Sequence, residues 1–141
     1  MEVKDIMTHS VVTVDPGESV EVAARTMTQY NIGALPVCTN GKLCGMLTDR
    51  DIVTRCLAAG RSPEETTVGQ IMTSQVHSVE PNAEASLAAA MMGKRQIRRL
   101  PVVEAGKVCG MLSLGDLAGN PDSAYDATDA LTEITSNLSS R

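Results

Sequence analysis

Two hydrophobic spacings alternate along the chain. Apolar residues at i, i+3, i+4 and i+7 predict a helix that ends near Tyr30, and Ser19 precedes this pattern as a candidate N-cap. Short apolar runs at 11–14, 34–38 and 42–47 instead have the length and branched side chains typical of strands. The apolar positions of the helix are Val20, Ala23, Ala24 and Met27.

The Asn-Gly dipeptide at 40–41 separates two of these runs and is a strong signal for a two-residue hairpin turn. The register set by this turn pairs Cys38 with Leu43 and Val37 with Cys44. The two cysteines are then not directly opposite each other, so the pattern does not favour a disulfide between them.

The second half of the chain repeats the first with an offset of 65 residues. Residues 3–52 align with 68–117 without a gap, and 21 of these 50 positions are identical. A strand is predicted again at 76–79 and a hairpin turn at Ala105-Gly106. The helical stripe of this copy is Leu87, Ala88, Met91 and Met92.

Each copy is therefore predicted as a β-α-β-β-α unit with a helical lead-in, which defines an α/β chain of the α+β type. A last helix runs from Asp49 to about residue 59 in the first copy. In the second copy Gly-Asn-Pro at 119–121 stops it early. Three strands and two helices bury an apolar face poorly alone, so we expect the tandem units to pack pseudo-symmetrically through their sheets.

The repeat also sets the expected domain boundaries. The first unit is predicted at 1–59, a linker at 60–67, the second unit at 68–120 and a C-terminal amphipathic tail at 121–141. In the tail, Leu131, Ile134 and Leu138 have helical spacing, which favours docking against the body or a partner subunit.

Composition narrows the class of protein. The chain is 43 % hydrophobic and 21 % charged, which is typical of a globular protein, and no apolar stretch approaches the roughly 20 residues that cross a bilayer. The N-terminus does not resemble a secretory signal, so we expect a cytoplasmic protein without a membrane partner. A net charge of −5 and only two aromatic residues, Tyr30 and Tyr125, disfavour nucleic-acid binding.

The sequence shows no arrangement typical of catalysis or of a metal centre. Its four cysteines form no CxxC pair, His9 and His77 occupy unrelated positions, and no GxxxxGK phosphate loop is present. We therefore expect reduced cysteines, no enzyme activity, no catalytic residues, no metal and no catalytic cofactor.

One short motif, GMLTDRD at 45–51 and GMLSLGD at 110–116, occurs in both copies. Its hydroxyl residue and the aspartate three positions later fit a capping box, which stabilises a helix start by about 1 kcal/mol. The glycine is not needed for a cap. A glycine, a hydroxyl and an aspartate at a strand-to-helix junction also suit close approach of an anion and a ribose, so both interpretations stay open.

The ordered series DIMT, TVDP, IGALPV, NGK and GMLTDRDI, followed by QIMT, SVEP, IRRLPV, AGK and GMLSLGDL, resembles a pair of CBS domains, the arrangement called a Bateman module. The resemblance covers 1–120 and is greatest to stand-alone bacterial CBS-domain proteins such as hypoxic response proteins. It implies a non-enzymatic regulatory module that senses an adenosyl ligand, namely AMP, ADP, ATP or S-adenosylmethionine, in two clefts between the repeats.

The resemblance also implies which residues contact the ligand. Ribose and phosphate would be bound by Thr48, Asp51, Ser113 and Asp116. In the family, the adenine slot comes from the lead-in and first strand of the opposite repeat and from the residues before Leu-Pro. In this chain those positions are Ile6, Met7, Val12, Ile32 and Gly33 in one copy, and Ile71, Met72, His77, Ile97 and Arg98 in the other.

Arg98 and Arg99 make the two clefts unlike, because Gly33 and Ala34 occupy the equivalent positions of the first copy. Two adjacent guanidinium groups suit phosphate oxygens, and the alternative is a solvated strand entry paired with surface carboxylates. The family further implies a homodimer and a protein target. The alternative function is a ligand-free interaction module in which the motif acts only as a helix cap.

Overall fold

Secondary structure repeats at the same 65-residue offset as the sequence. The computed structural model describes residues 1–139 of the 141. Its elements are a 3-10 turn at Val3–Asp5, α1 (Val20–Tyr30), β1 (Ala34–Thr39), β2 (Lys42–Thr48), α2 (Asp49–Asp51) continued by a π-helical stretch at Ile52–Leu57, α3 (Val68–Ile71), α4 (Ala85–Arg95), β3 (Arg99–Glu104), β4 (Lys107–Ser113), α5 (Leu114–Ala118) and α6 (Ala124–Ser139). This mixture of helices and antiparallel hairpins confirms the α+β class.

Helix α1 begins and ends where the sequence predicts. The Ser19 hydroxyl accepts a hydrogen bond from the Val22 amide at 3.2 Å, and the helix ends at Asn31, which has φ +53°. Val20, Ala23 and Met27 are buried, so the predicted stripe faces the core.

Helix α4 buries the predicted stripe except at Leu87. Leu87 is 57 % exposed, although the sequence pattern assigned it to the core. Ala88 and Met92 of the predicted stripe are buried, and the other buried side chains of the helix are those of Ala85 and Ala89, so the buried positions have i, i+3, i+4, i+7 spacing. The prediction was wrong for Leu87 because it favoured the larger side chain, whereas the small alanines are the ones that face the core.

The predicted first strands are reduced to one parallel bridge each, Val14 with Val37 and Val79 with Val102. The Val14 amide donates to the Pro36 carbonyl at 3.1 Å, and the Cys38 amide donates to the Val14 carbonyl at 2.9 Å. The next bond of a parallel ladder would need an N–H on Pro36, which proline lacks. The Leu-Pro dipeptide of the motif therefore limits this strand to a single pairing.

The first hairpin has the predicted turn and a register that differs at one point. Its turn residues have φ +54° and +80°, and Cys38 pairs with Leu43 as expected. Val37 pairs with Gly45 rather than with Cys44, because Cys44 is an extra residue in a β-bulge. The Cys44 thiol donates instead to the Val37 carbonyl at 3.2 Å.

The described chain forms two compact units that exchange the segments in front of the repeats. Unit A consists of 12–76 and 106–108, and unit B of 1–11, 77–105 and 109–139. Unit A thus contains the first repeat with the lead-in of the second. Unit B contains the second repeat with the lead-in of the first. The core of unit A includes Val68 and Ile71 beside Leu35 and Leu47, and the core of unit B includes Val3.

Each exchanged lead-in packs against the hairpin of the other repeat through a methionine and a glycine. A Cβ placed on Gly45 would lie 2.5 Å from Met72 Sδ and 2.9 Å from the Thr73 carbonyl oxygen. A Cβ on Gly110 would overlap Met7 Sδ in the same way. The motif glycine is therefore required by this packing.

The predicted tail is helix α6 of unit B, and it is docked. Ala127, Ala130 and Ile134 are buried against α4 and α5, whereas Leu131 is 42 % exposed. The side chain of Leu138 lies outside the described part of the chain. The docked face of α6 is therefore formed mainly by Ala127, Ala130 and Ile134, and the predicted Leu131 does not belong to it.

Gly45→Ala is expected to lower the free energy of unfolding by about 1–3 kcal/mol, because the added methyl group overlaps Met72 and the Thr73 carbonyl. Urea denaturation measures this loss. Gly115→Ala is the matched control: its Cβ would lie 3.6 Å from Ser113 Oγ, so it should stabilise α5 by about 0.5–1 kcal/mol. The cost of Gly45→Ala should shrink in a Met72→Ala background, and an unchanged cost there would contradict the packing role.

Candidate functional site

The strand-to-helix junction of each repeat forms a complete capping box. Thr48 Oγ1 accepts a hydrogen bond from the Asp51 amide at 3.1 Å, and Asp51 Oδ2 accepts one from the Thr48 amide at 3.0 Å. Ser113 and Asp116 form the same pair of bonds at 3.0 and 2.8 Å. The cap interpretation of the motif is therefore confirmed, and it occupies one oxygen of each carboxylate.

The second oxygen of Asp51 faces an arginine that the sequence analysis did not select. Asp51 Oδ1 lies 3.8 Å from Arg55 Nε, one helical turn later. Arg55 Nη1 also donates to the Ile71 carbonyl at 3.0 Å and to Thr73 Oγ1 at 3.3 Å. Arg55 thus links the motif aspartate of the first repeat to the lead-in of the second. Its i+4 spacing from Asp51 was the available sequence signal.

Asp116 has a different neighbour at the same position. Asn120 replaces the arginine, and its side chain caps a turn by accepting from the Asp122 amide at 3.1 Å. Within residues 1–139, Asp116 forms no ion pair. The two motif aspartates therefore share a cap but differ in the charge beside them.

A groove of about 440 Å³ in unit B brings together three of the predicted site residues, Arg98, Arg99 and Ser113. The strand entry is tied to the helix start by a hydrogen bond from the Leu114 amide to the Arg98 carbonyl at 2.9 Å. Both arginines are exposed, and neither forms an ion pair with a carboxylate of the described chain. The pairing with surface carboxylates that the alternative interpretation requires is therefore absent from the described part of the chain.

The corresponding groove of unit A, of about 410 Å³, has the opposite charge. It contains the predicted residues Ile32 and Gly33, of which Gly33 replaces Arg98, and it is lined by Asp49, which replaces Leu114. A Cβ on Gly33 would lie 2.9 Å from Asp49 Oδ2, so this carboxylate lies directly over the strand entry. The two grooves are thus chemically unlike.

The remaining predicted adenine residues lie beside the hydrophobic cores. In unit A, Ile71 is buried and Val12 and Met72 pack around the core, and in unit B the same holds for Ile6, Met7 and Ile97. The lead-ins cross to the opposite repeat as expected. Val12 and His77 do not, because each stays in the unit of its own repeat, and His77 is exposed.

The four cysteines are free thiols. Burial raises the pKa of the Cys38 thiol. The pKa of the Cys109 thiol is raised mainly by burial and to a smaller extent by the nearby Glu104 carboxylate. Both groups are therefore held in the neutral form, as expected for small packed side chains. Within the described chain, no three His, Cys, Asp or Glu residues cluster as metal ligands, and no described helix has the length and hydropathy to span a membrane.

A duplicated α+β unit with exchanged lead-ins and a glycine-hydroxyl-aspartate junction defines a class of tandem paired domains. The model of the CBS domain family matches residues 3–58 and 68–121. This chain belongs to the CBS domain family, as a tandem pair.

Known proteins agree with this assignment. The chain is 45 % identical over 133 residues to the CBS domain-containing protein YhcV of Bacillus subtilis, covering 94 % of each. It is 38 % identical over 116 residues to Hypoxic response protein 1 of Mycobacterium tuberculosis, covering 82 % of this chain and 81 % of that protein.

Two solved structures are similar in both fold and sequence. The first is Hypoxic Response Protein I with two coordinated zinc ions, at TM-score 0.78 and 37 % identity, covering 84 % of this chain and 98 % of that one. The second is the CBS domain pair of protein MJ0100 in complex with 5′-methylthioadenosine and S-adenosyl-L-methionine, at TM-score 0.76 and 30 % identity, covering 84 % and 94 %.

Thr48→Ala and Ser113→Ala are each expected to lower the free energy of unfolding by about 1 kcal/mol, because each removes a side-chain cap. Chemical denaturation without added ligand measures the loss. Thr48→Ser and Ser113→Thr exchange the residues between repeats and should retain nearly all of the stability. If the alanine variants are as stable as the exchanged ones, the caps do not contribute.

Proposed function

We propose that this chain is a non-enzymatic regulatory module that binds an adenosyl ligand, with unit B as its site for a phosphate-bearing one such as AMP, ADP or ATP. The observation that carries the proposal is the groove of unit B, where Arg98 and Arg99 lie beside Ser113 without a carboxylate partner in the described chain. S-adenosylmethionine remains the alternative adenosyl ligand, in view of the complex of MJ0100.

Charge supports the choice of unit B. The chain carries a net charge of −5, so an anionic ligand needs a locally basic surface. Guanidinium groups bind phosphate oxygens through paired, charge-assisted hydrogen bonds. The groove of unit A has Asp49 at its strand entry, which repels a phosphate. A neutral or cationic adenosyl ligand suits unit A better.

The aspartates supply the ribose part of the proposed recognition. Asp116 uses Oδ2 for the cap, and a carboxylate accepts several hydrogen bonds through its two oxygens. A ribose with adjacent hydroxyls matches the remaining acceptor capacity. In unit A, Asp51 Oδ1 is directed at Arg55, so a ribose there has to share this oxygen or displace the arginine.

Regulation follows from differential affinity. A ligand that prefers one arrangement of the protein stabilises that arrangement by the difference in binding free energy, and the change is passed to a protein target. The proposal places the protein in the cytoplasm and assigns it no catalytic cofactor. The second candidate is the ligand-free interaction module, which is favoured by the complete capping boxes and by the packing role of the motif glycines.

The deciding measurement is thermal unfolding with AMP, ADP, ATP and S-adenosylmethionine, followed by titration calorimetry. A ligand at 100 times its dissociation constant adds about 2.7 kcal/mol to the stability of the folded state. We expect a phosphate-bearing ligand to stabilise the protein, and Arg99→Ala and Asp116→Ala to lose that effect. Arg95→Ala is the matched control, since Arg95 is an exposed arginine four residues before Arg99 that does not line the groove.

The outcomes separate the two candidates. If Arg99→Ala binds the phosphate-bearing ligand with unchanged affinity, the groove of unit B is not a phosphate site. No shift with any adenosyl ligand would favour the interaction module. Asp51→Ala tests unit A in the same way. If only this variant loses the stabilisation by ligand, the ligand site is in unit A.

We further propose that the chain forms a homodimer through the outer helices of unit A. This unit exposes apolar side chains on α1 and the π-helical stretch, whereas α6 covers α4 and α5 in unit B. A second copy would bury these residues, which are Val22, Tyr30, Val53 and Leu57, between 44 and 55 % exposed. Several exposed apolar residues in one region are typical of an interaction site.

Sedimentation equilibrium should show a dimer for the natural chain and a monomer for Leu57→Glu, because a charge buried in the contact is costly. Leu87→Glu is the matched control, since Leu87 is 57 % exposed on α4 of unit B and Leu57 is 54 % exposed. A natural chain that sediments as a monomer, or a dimer broken only by Leu87→Glu, would contradict the assigned face.

A further inference from the structure

Helix α6 lines the same groove as the two arginines. Arg98, Arg99 and Ser113 form one side of it, and Ala127, Thr128 and Leu131 of α6 form the other. A molecule that fills the groove therefore contacts the C-terminal helix. Unit A has no counterpart, because its groove is bounded by α1, α2 and the π-helical stretch.

Helix α6 is attached to the site by a buried hydrogen bond at its start. Ser123 is 1 % exposed, and its hydroxyl donates to the Leu117 carbonyl of α5 at 2.6 Å. Helix α5 begins immediately after Ser113, so the anchor and the proposed ligand residue share one short element. Along the helix, contact depends on Gly93 of α4, where a Cβ would lie 3.2 Å from the Ala130 Cα.

The middle of α6 is held by small residues and leaves a polar position on the groove. Ala127 and Ala130 are buried, whereas Thr128 is exposed and directs its hydroxyl to the Ala124 carbonyl. No acidic side chain is among the residues that line the groove, so no lining residue of α6 pairs with Arg98 or Arg99.

We infer that α6 is a wall of the ligand site of unit B, so that binding of a phosphate-bearing adenosyl ligand and docking of α6 stabilise each other. This inference rests on the proposed function, and it names α6 as the element through which ligand binding is regulated. By linkage, a ligand that favours docked α6 must bind more tightly when α6 is docked, and by the same factor. The C-terminal helix is then the element whose state reports occupancy.

The test uses ATP with the full chain and two matched substitutions on α6. Thr128→Glu places a carboxylate opposite the arginines, and we expect it to weaken ATP binding by about tenfold, a typical size for coupling between sites. Tyr125→Glu adds the same charge to the same helix at a residue that is 87 % exposed and outside the groove, and it should bind ATP like the natural chain. Thr128→Lys should bind ATP more tightly.

Hydrogen exchange of the α6 amides provides a readout that does not depend on substitutions. ATP should slow their exchange by about fivefold or more in the natural chain and not in Arg99→Ala. If ATP binds but α6 exchange is unchanged and Thr128→Glu binds like Tyr125→Glu, the inference is wrong while the proposed function stands. If no adenine nucleotide binds, the inference and the phosphate role of unit B are both wrong, and the proposed adenosyl function is wrong as well if S-adenosylmethionine does not bind either.

Discussion

A methionine of one repeat lies on a glycine of the other repeat's hairpin, and the rest of each compact unit depends on this contact. Met72 occupies the space above Gly45, and Met7 occupies the space above Gly110, so a β-carbon at either glycine would force the methionine to move, and at Gly45 it would also overlap the Thr73 carbonyl. The lead-ins are further held by backbone pairing of Thr8 with Met111 and of Thr73 with Met46. Each hydrophobic core consequently contains residues from both repeats, and duplication is a requirement of the fold.

The duplication has preserved the cap and changed its surroundings. Both junctions keep the hydroxyl and the aspartate in the same pair of hydrogen bonds. Around them, Arg55 is replaced by Asn120, and the glycine at position 33 is replaced by Arg98. One scaffold thus presents an acidic groove in unit A and a basic groove in unit B, which is the physical basis for assigning different ligands to them.

Sequence reasoning predicted the features that are set by residues close together in the chain. It failed for features that depend on tertiary packing or on a backbone N–H that proline lacks. The Asn-Gly turn, the Ser19 cap and the capping boxes are set by residues within four positions of each other. The bulge at Cys44 and the exposure of Leu87 depend on neighbours distant in sequence. The short pairing of Val14 was predictable in principle, since Pro36 has no N–H, but periodicity alone does not reveal which strand is its partner.

The sequence by itself determined the duplication, the order of elements, the family and the cap at each junction, because identities at a constant offset and short-range hydrogen bonds are visible in one dimension. Only the tertiary structure decided that the lead-ins are exchanged, that the motif glycine accommodates a methionine, and that α6 lies beside Arg98 and Arg99. These features arise from contacts between residues far apart in the sequence, such as Gly45 and Met72, or from docking through alanines, and neither leaves a hydrophobic period that identifies its partner.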